Sequence, residues 1–178
     1  ALGFVASPKN ETTVLSSIIK TGERSAVLPA EIYESYGTVR FVNEFPLIID
    51  ALINGGTLIM DEFDASIHPM AIMNIIKVFH NDDINIHCAQ LVFNTHNPIF
   101  LSASLFRRDE IKFVERDDNT YASEQYALSD FKTSGKTGVR KGEDYMKNYF
   151  VNQYGAIKDV DFSPILESII KEGDRHGD

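Results

Sequence analysis

The sequence predicts an α/β fold in which helices flank a mostly parallel sheet. Two observations support this prediction. Helical and strand patterns alternate between residues 39 and 116, which is typical of strands that run parallel to one another. The two central strand candidates, 57–60 and 90–94, are continuous apolar runs, as expected of strands buried on both faces. A chain of 178 residues is long enough for a single domain of this kind.

Local patterns place the individual elements. In residues 39–53 apolar side chains recur every three to four positions, which predicts a helix. Ser35 can cap its first turn, and Gly55 and Gly56 end it. Pro69 suits the first position of a second helix, whose apolar face would carry Met70, Met73, Ile76 and Phe79. The other predicted elements are a short helix at 12–19, a turn at 22–24, a short helix at 103–106, strands at 111–115 and 121–128 joined by a turn at 117–119, a polar loop at 129–142, and helices at 143–151 and 164–171.

Composition narrows the class of protein. The chain has 17 Lys and Arg against 26 Asp and Glu, a net charge of −9, which argues against nucleic-acid binding by the whole surface but leaves a local patch open. No apolar stretch approaches the roughly 20 residues that span a bilayer, and no secretion signal opens the sequence. The single Cys88 fits a reducing compartment. We therefore expect a cytoplasmic protein without a membrane segment.

Two adjacent carboxylates, Asp61 and Glu62, follow the strand predicted at 57–60. Ligands of α/β folds bind at the carboxyl ends of parallel strands. One acid can hold Mg²⁺, usually through water, while its neighbour orients and deprotonates an attacking water. The alternative, a pair of solvated acids at a strand end, is about equally favoured by these residues alone.

Two further segments could contact phosphate. His96 follows the second buried strand, at the same sheet edge if the strands are parallel, where it could hydrogen-bond a phosphate oxygen or simply cap the next turn. Ser35, Gly37 and Thr38 place two hydroxyls and a glycine at a predicted helix N-terminus. Such a terminus attracts anions, although a plain helix cap is the commoner case.

Two other patterns resemble binding sites only superficially. Residues 134–137 (SGKT) resemble the end of a phosphate-binding loop, GxxxxGK(S/T), but its first glycine would fall at Asp130 and no apolar strand precedes it. The cations around it are better explained as a solvated loop: Lys132, Lys136, Arg140, Lys141 and Lys147. A set of possible metal ligands lacks the spacing of known sites: His80, Asp82, Asp83 and His87.

The order of the motifs resembles the downstream half of an ABC-type ATPase. The matching elements are a signature motif at 35–38, a Walker B strand at 56–62 (GTLIMDE), a D-loop at 64–69 (DASIHP) and a switch histidine within 93–98 (FNTHNP). The likeness is greatest to prokaryotic, SMC-like AAA-family ATPases termed ATP/GTP phosphatases, several of which belong to phage-defence systems. It covers residues 28 to about 160.

This resemblance implies roles for the residues at the strand ends. Asp61 would help to hold Mg²⁺, Glu62 would be the general base for water, and His96 would sense the γ-phosphate of ATP. Positioning and electrostatics would supply most of the catalysis. ATP and Mg²⁺ are therefore the expected cofactors.

The resemblance also implies a homodimer that sandwiches ATP between two subunits. Ser35 and Gly37, with Thr38, would contact nucleotide held by the second subunit. Asp64 and Ser66 would lie near the dimer seam. Related defence proteins pair such domains with nucleases, so the resemblance also allows a fused or partner nuclease domain.

One element of the family is missing, because no complete phosphate-binding loop (Walker A) occurs in these 178 residues. We therefore expect the C-terminal part of a longer ATPase head, with its core in 28–116 and a C-terminal hairpin and helices in 117–178, inactive by itself. Two alternatives stay open: a metal-dependent nuclease or phosphohydrolase that uses Asp61, Glu62 and Asp64, and a non-catalytic dimerisation module.

Overall fold

The computed structural model describes residues 2–6, 13–131, 143–157 and 161–175. The chain forms two compact units, Ala1–Phe100 and Leu101–Asp178. The phosphate-loop-like segment at 134–137 and four of the five cations around it lie outside the described residues. No helix in the described ranges is both long enough and apolar enough to cross a membrane.

The first unit begins with a three-stranded antiparallel sheet of β1 (Leu2–Ala6), β2 (Thr13–Thr21) and β3 (Arg24–Pro29), in that order. The helix predicted at 12–19 is therefore wrong. This segment is rich in β-branched Thr, Val and Ile, which favour strands, and it is the central strand, paired on both sides. The predicted turn at 22–24 is confirmed as the β2–β3 connection, where Gly22 has φ +62°.

Two helices follow, α1 (Ala30–Tyr33) and α2 (Tyr36–Asn54). The long helix α2 and both of its predicted ends are confirmed. The Ser35 hydroxyl accepts a hydrogen bond from the Thr38 backbone N–H at 3.1 Å, and Gly55 ends the helix in the left-handed conformation, at φ +69°. Ile48 and Ala51 are the buried side chains of α2.

The centre of this unit is a strand–helix–strand arrangement of β4 (Thr57–Met60), α3 (Pro69–Phe79) and β5 (Gln90–Phe93). The two strands are parallel, with Thr57 opposite Gln90 and Met60 opposite Phe93. The prediction of an α/β fold with parallel strands is thus confirmed. Within the described ranges, however, the parallel sheet has two strands, and the other two sheets are antiparallel.

Two details of this arrangement correct the sequence predictions. The strands are covered on one face only, because Ile59 is 76% exposed and Val92 is 53% exposed on the other. Helix α3 buries Ile72, Ile75 and Ile76, whereas the predicted face included Met70, which is 53% exposed. Apolar character alone does not say which face of an apolar element meets the core.

The second unit is built around a hairpin of β6 (Lys112–Arg116) and β7 (Ser123–Ala127), followed by α4 (Tyr145–Phe150) and α5 (Ser163–Arg175). These elements match the predicted strands and helices. Residues 103–106 form turns instead of the predicted helix, with the Ser102 hydroxyl accepting from the Ser104 N–H at 3.2 Å. The core of this unit consists of Ile111, Phe113, Leu128, Tyr145 and Tyr154.

Candidate functional site

The register of β4 and β5 brings the two polar strand ends together. Met60 pairs with Phe93, so the next residues, Asp61 and Asn94, emerge side by side at the carboxyl edge of the sheet. The Asn94 side-chain amide donates to the Asp61 carboxylate at 2.5 Å. The acidic pair and the segment that contains His96 therefore meet at one edge, as the sequence predicted for parallel strands.

Glu62 has an unusual backbone. Its φ is +47°, a left-handed conformation that is unfavourable for a residue with a Cβ atom. Its N–H donates to the Asn94 side-chain oxygen at 2.6 Å, and its carbonyl oxygen accepts from Arg40 Nη2 at 2.9 Å. Two side chains from other elements thus hold both polar groups of the Glu62 backbone, while its own side chain stays exposed.

Arg40 connects α2 to the loop that follows β4. Its Nη1 donates to the Ala65 carbonyl at 2.9 Å, and its Nη2 donates to Glu62 and, at 3.5 Å, to the Asp61 carbonyl. The Arg40 Nε bonds the Glu44 carboxylate at 2.6 Å, in a pair whose side chains are 17% and 20% exposed. That hydrogen bond raises the pKa of Arg40 above its usual value, so the guanidinium remains charged.

The first turn of α2 packs closely against the same loop. A Cβ atom on residue 37 would come 1.9 Å from the Ser66 carbonyl oxygen, and Ser66 has φ +65°. At the tip of the helix the hydroxyls of Ser35 and Thr38 are 2.8 Å apart. The structure therefore brings Ser35, Gly37 and Thr38 next to the loop that carries Asp64 and Ser66.

His96 is exposed at the end of β5. The turn that follows is formed by its neighbours: Thr95 Oγ1 accepts from the Asn97 N–H at 2.9 Å, and the Asn97 side chain accepts from the Ile99 N–H at 3.2 Å. Thr95 and Asn97 thus cap this turn, which was one of the two roles that the sequence allowed for His96.

The described residues contain no group of three or more His, Cys, Asp or Glu side chains placed to hold a metal ion. The set around His80 is therefore not a cluster, and Asp61, Glu62 and Asp64 do not converge on one point. Mg²⁺ bound with a nucleotide needs only one or two carboxylates, because phosphates and waters complete its coordination. The exposed carboxylate of Asp61, fixed by Asn94, suits that arrangement.

Sequence reasoning assigned no role to Arg40 or Asn94. The signal for Asn94 was its place directly after β5, since parallel pairing with β4 aligns it with Asp61. Arg40 carries no comparable signal, because an arginine one turn into an amphipathic helix is ordinary. Only the fold shows that it reaches the loop after β4.

Residues 11–102, just over half of the chain, match a protein family described as "AAA domain, putative AbiEii toxin, Type IV TA system". The matched range contains β4, β5 and each of the candidate site residues from Ser35 to His96. No curated protein and no solved structure matches the chain.

Proposed function

The chain belongs to the family of AAA domains of the AbiEii-toxin type, and from that premise we propose that it forms part of the catalytic site of an ABC-type, SMC-like ATPase. Membership in the family supports a nucleotide-binding, ATPase-like function. The observation that supports the finer proposal is the meeting of two parallel strand ends, with Asp61 and Glu62 after β4 and Asn94 and His96 after β5.

In this proposal Asp61, Glu62 and His96 each have one task in catalysis. Asp61 would hold Mg²⁺, which when bound would neutralise charge on the phosphates. The Glu62 carboxylate accepts a proton from the water that attacks the γ-phosphorus. His96 donates a hydrogen bond to a γ-phosphate oxygen. All three side chains are exposed at the sheet edge, where a nucleotide can reach them.

In this proposal the phosphate-binding loop is supplied by a segment outside these 178 residues, since the sequence contains no complete GxxxxGK(S/T) pattern. The exposed apolar face of the β4–β5 sheet supports this part of the proposal. Parallel sheets are normally covered on both faces, and Ile59 and Val92 stand exposed on one of them. We therefore propose that the chain alone neither binds ATP tightly nor hydrolyses it.

We further propose that a second subunit completes the ATP-binding site by presenting its Ser35–Thr38 segment to the γ-phosphate. The close contact between Gly37 and Ser66 supports this arrangement, because it places a helix N-terminus beside the loop proposed for the dimer seam. Free N–H groups and the helix dipole make such a terminus attractive to phosphate.

The two alternatives differ in how much the geometry supports them. A nuclease that uses Asp61, Glu62 and Asp64 would need carboxylates that converge on divalent ions, and the described residues show no such group. A non-catalytic dimerisation module would keep the surface around Gly37 but would not require the hold on Glu62 by Arg40 and Asn94.

Phage defence is the biological setting that we propose, since the family description names a toxin of a type IV toxin–antitoxin system. In that setting, expression of the complete protein should arrest growth of the host, and the arrest should require Glu62. Arrest that persists unchanged in Glu62→Gln would separate the toxic effect from ATP hydrolysis.

The proposed function is tested by two measurements made in parallel. Isothermal titration of residues 1–178 with MgATP should show no micromolar binding, whereas a polypeptide that also carries the phosphate-binding loop should bind ATP and release phosphate. Chelation of Mg²⁺ should stop the release. Micromolar binding by residues 1–178, or hydrolysis that survives chelation, would contradict the proposal.

A further inference from the structure

We infer that Arg40 and Asn94 are positioning residues that hold Glu62 in its left-handed backbone conformation and thereby aim its carboxylate. The inference rests on the proposed role of Glu62 as the general base. Neither residue has to touch nucleotide for this task, since each acts on the backbone of Glu62.

The backbone conformation of Glu62 is one that neighbouring groups have to stabilise. Glu62 has φ +47°, a region in which the Cβ atom crowds the backbone and which residues other than Gly, Asn and Asp rarely adopt. Strained conformations of this kind persist only where the surroundings impose them. The direction of the Cα–Cβ bond, and with it the reach of the carboxylate, depends on this φ value.

The side chain of Asn94 suits its position because its planar amide carries both a hydrogen-bond acceptor and a hydrogen-bond donor. Its side-chain oxygen accepts from the Glu62 N–H at 2.6 Å, while its side-chain nitrogen donates to the Asp61 carboxylate at 2.5 Å. The amide therefore fixes the backbone of the proposed base relative to the proposed metal ligand. An aspartate could keep the first bond but not the second.

Arg40 holds the other side of the same residue. Its two terminal nitrogens each donate at 2.9 Å, one to the Glu62 carbonyl and one to the Ala65 carbonyl. The bond from its Nε to Glu44 fixes the plane of the guanidinium. A lysine has one nitrogen and no planar fork, so it could not make these bonds together.

The experiment compares Asn94→Ala, Asn94→Asp, Arg40→Met and Arg40→Lys with two controls. Asn54→Ala removes an Asn–Asp hydrogen bond of the same kind from the far end of α2. Arg107→Lys alters an arginine–carboxylate pair on the surface of the second unit. Circular dichroism establishes that each variant is folded, and Arg40→Lys decides the test where Arg40→Met or Asn94→Ala does not fold.

The first readout is the conformation of Glu62 in residues 1–178, from NMR backbone couplings and the exchange rate of its amide. We expect Asn94→Ala, Arg40→Met and Arg40→Lys to shift φ away from the left-handed region, and Asn94→Ala to speed amide exchange. Asn94→Asp and both controls should retain the native values. A left-handed Glu62 in both Asn94→Ala and Arg40→Met would overturn the inference.

The second readout is ATP hydrolysis by the polypeptide that carries the phosphate-binding loop. We expect kcat to fall about ten- to a hundred-fold in Asn94→Ala and both Arg40 variants with KM nearly unchanged, since small misplacements of a catalytic group have effects of this size. Asn94→Asp should lose less activity than Asn94→Ala, since it keeps an acceptor for the Glu62 N–H. Unchanged kcat in folded variants would overturn the inference, whereas inactive wild-type protein would overturn the proposed function and leave the NMR result to decide whether Glu62 is held.

Discussion

The Cα atom of Gly37 lies so close to the backbone of Ser66 that a Cβ atom at position 37 would be 1.9 Å from the Ser66 carbonyl oxygen. The start of α2 and the loop after β4 are therefore in direct backbone contact. Arg40, one turn further along the helix, adds hydrogen bonds to the same loop. These contacts hold the first turn of α2 against the loop that follows β4.

Gly37→Ala should destabilise the protein strongly, by about 2 kcal/mol or more, because overpacking against backbone cannot be relieved by a side-chain rotation. The matched control is Gly56→Ala, since a Cβ atom at Gly56 would meet nothing within 4 Å. Urea unfolding of both variants measures the difference. Equal stability of the two variants would show that the approach to Ser66 is not close in solution.

Ser35 variants separate helix capping from contact with nucleotide. Ser35→Ala should cost about 1 kcal/mol of stability through loss of the cap, whereas Ser35→Asp should keep it because aspartate caps equally well. If Ser35 faces the γ-phosphate of a second subunit, the added negative charge should abolish ATP-dependent dimerisation. The measurement is light scattering, with and without ATP, of the polypeptide that also carries the phosphate-binding loop. Normal dimerisation of Ser35→Asp would leave Ser35 as a helix cap only.

Much of this arrangement could be predicted from sequence because its signals are local. The cap at Ser35 and the stop at Gly55 depend on residues near one another in sequence. The parallel pairing of the two apolar strands was predictable because a helical pattern separates them. Asp61 and His96 were placed at one edge for the same reason. The length of the parallel sheet was not predictable, because pairing depends on strands distant in sequence.

The failures have a common physical cause. Residues 13–19, predicted as part of a helix, lie in strand β2, which has partners on both sides, and neither partner is visible in the pattern of these residues. Ile59 is exposed although its strand is apolar throughout, because an apolar run does not say what covers it. The contacts of Arg40 had no sequence signal, because they are made with carbonyl groups 21 to 25 positions away.

Asp61→Asn should raise the Mg²⁺ concentration required for half-maximal ATP hydrolysis by about ten-fold or more, since Mg²⁺ favours a charged carboxylate over a neutral amide. The control is Asp50→Asn, which changes an exposed carboxylate on α2 that accepts from Asn54. Phosphate release by the polypeptide that also carries the phosphate-binding loop, followed across a Mg²⁺ titration, measures the effect. An unchanged requirement would remove Asp61 from the metal site.

The second unit should lose stability in alkaline solution. Burial raises the pKa of both Tyr126 and Tyr154, so the folded state keeps their protons at pH values where the unfolded chain, with a pKa of about 10, releases them. Their contribution is thus complete below pH 10 and declines as the pH rises through the folded values. Urea unfolding from pH 9 to 11 measures this decline.

Tyr126→Phe should reduce that pH dependence, while Tyr121→Phe should not, because Tyr121 is 68% exposed. Tyr126 also donates a hydrogen bond to the Tyr154 carbonyl at 2.7 Å, so its replacement should lower stability at neutral pH as well. A stability that stays constant from pH 9 to 11 would contradict the assignment of these two raised pKa values.

The most direct test of the central claim is single-turnover ATP hydrolysis by Glu62→Gln in the polypeptide that carries the phosphate-binding loop, with Glu124→Gln, an exposed residue of β7, as the control. If Glu62 is the general base, its replacement should lower the rate of ATP hydrolysis by about 10²- to 10⁴-fold. ATP binding should be retained, and an ATP-bound dimer should accumulate. Hydrolysis by Glu62→Gln at the rate of the control would contradict the claim that these strand ends form an ATPase site.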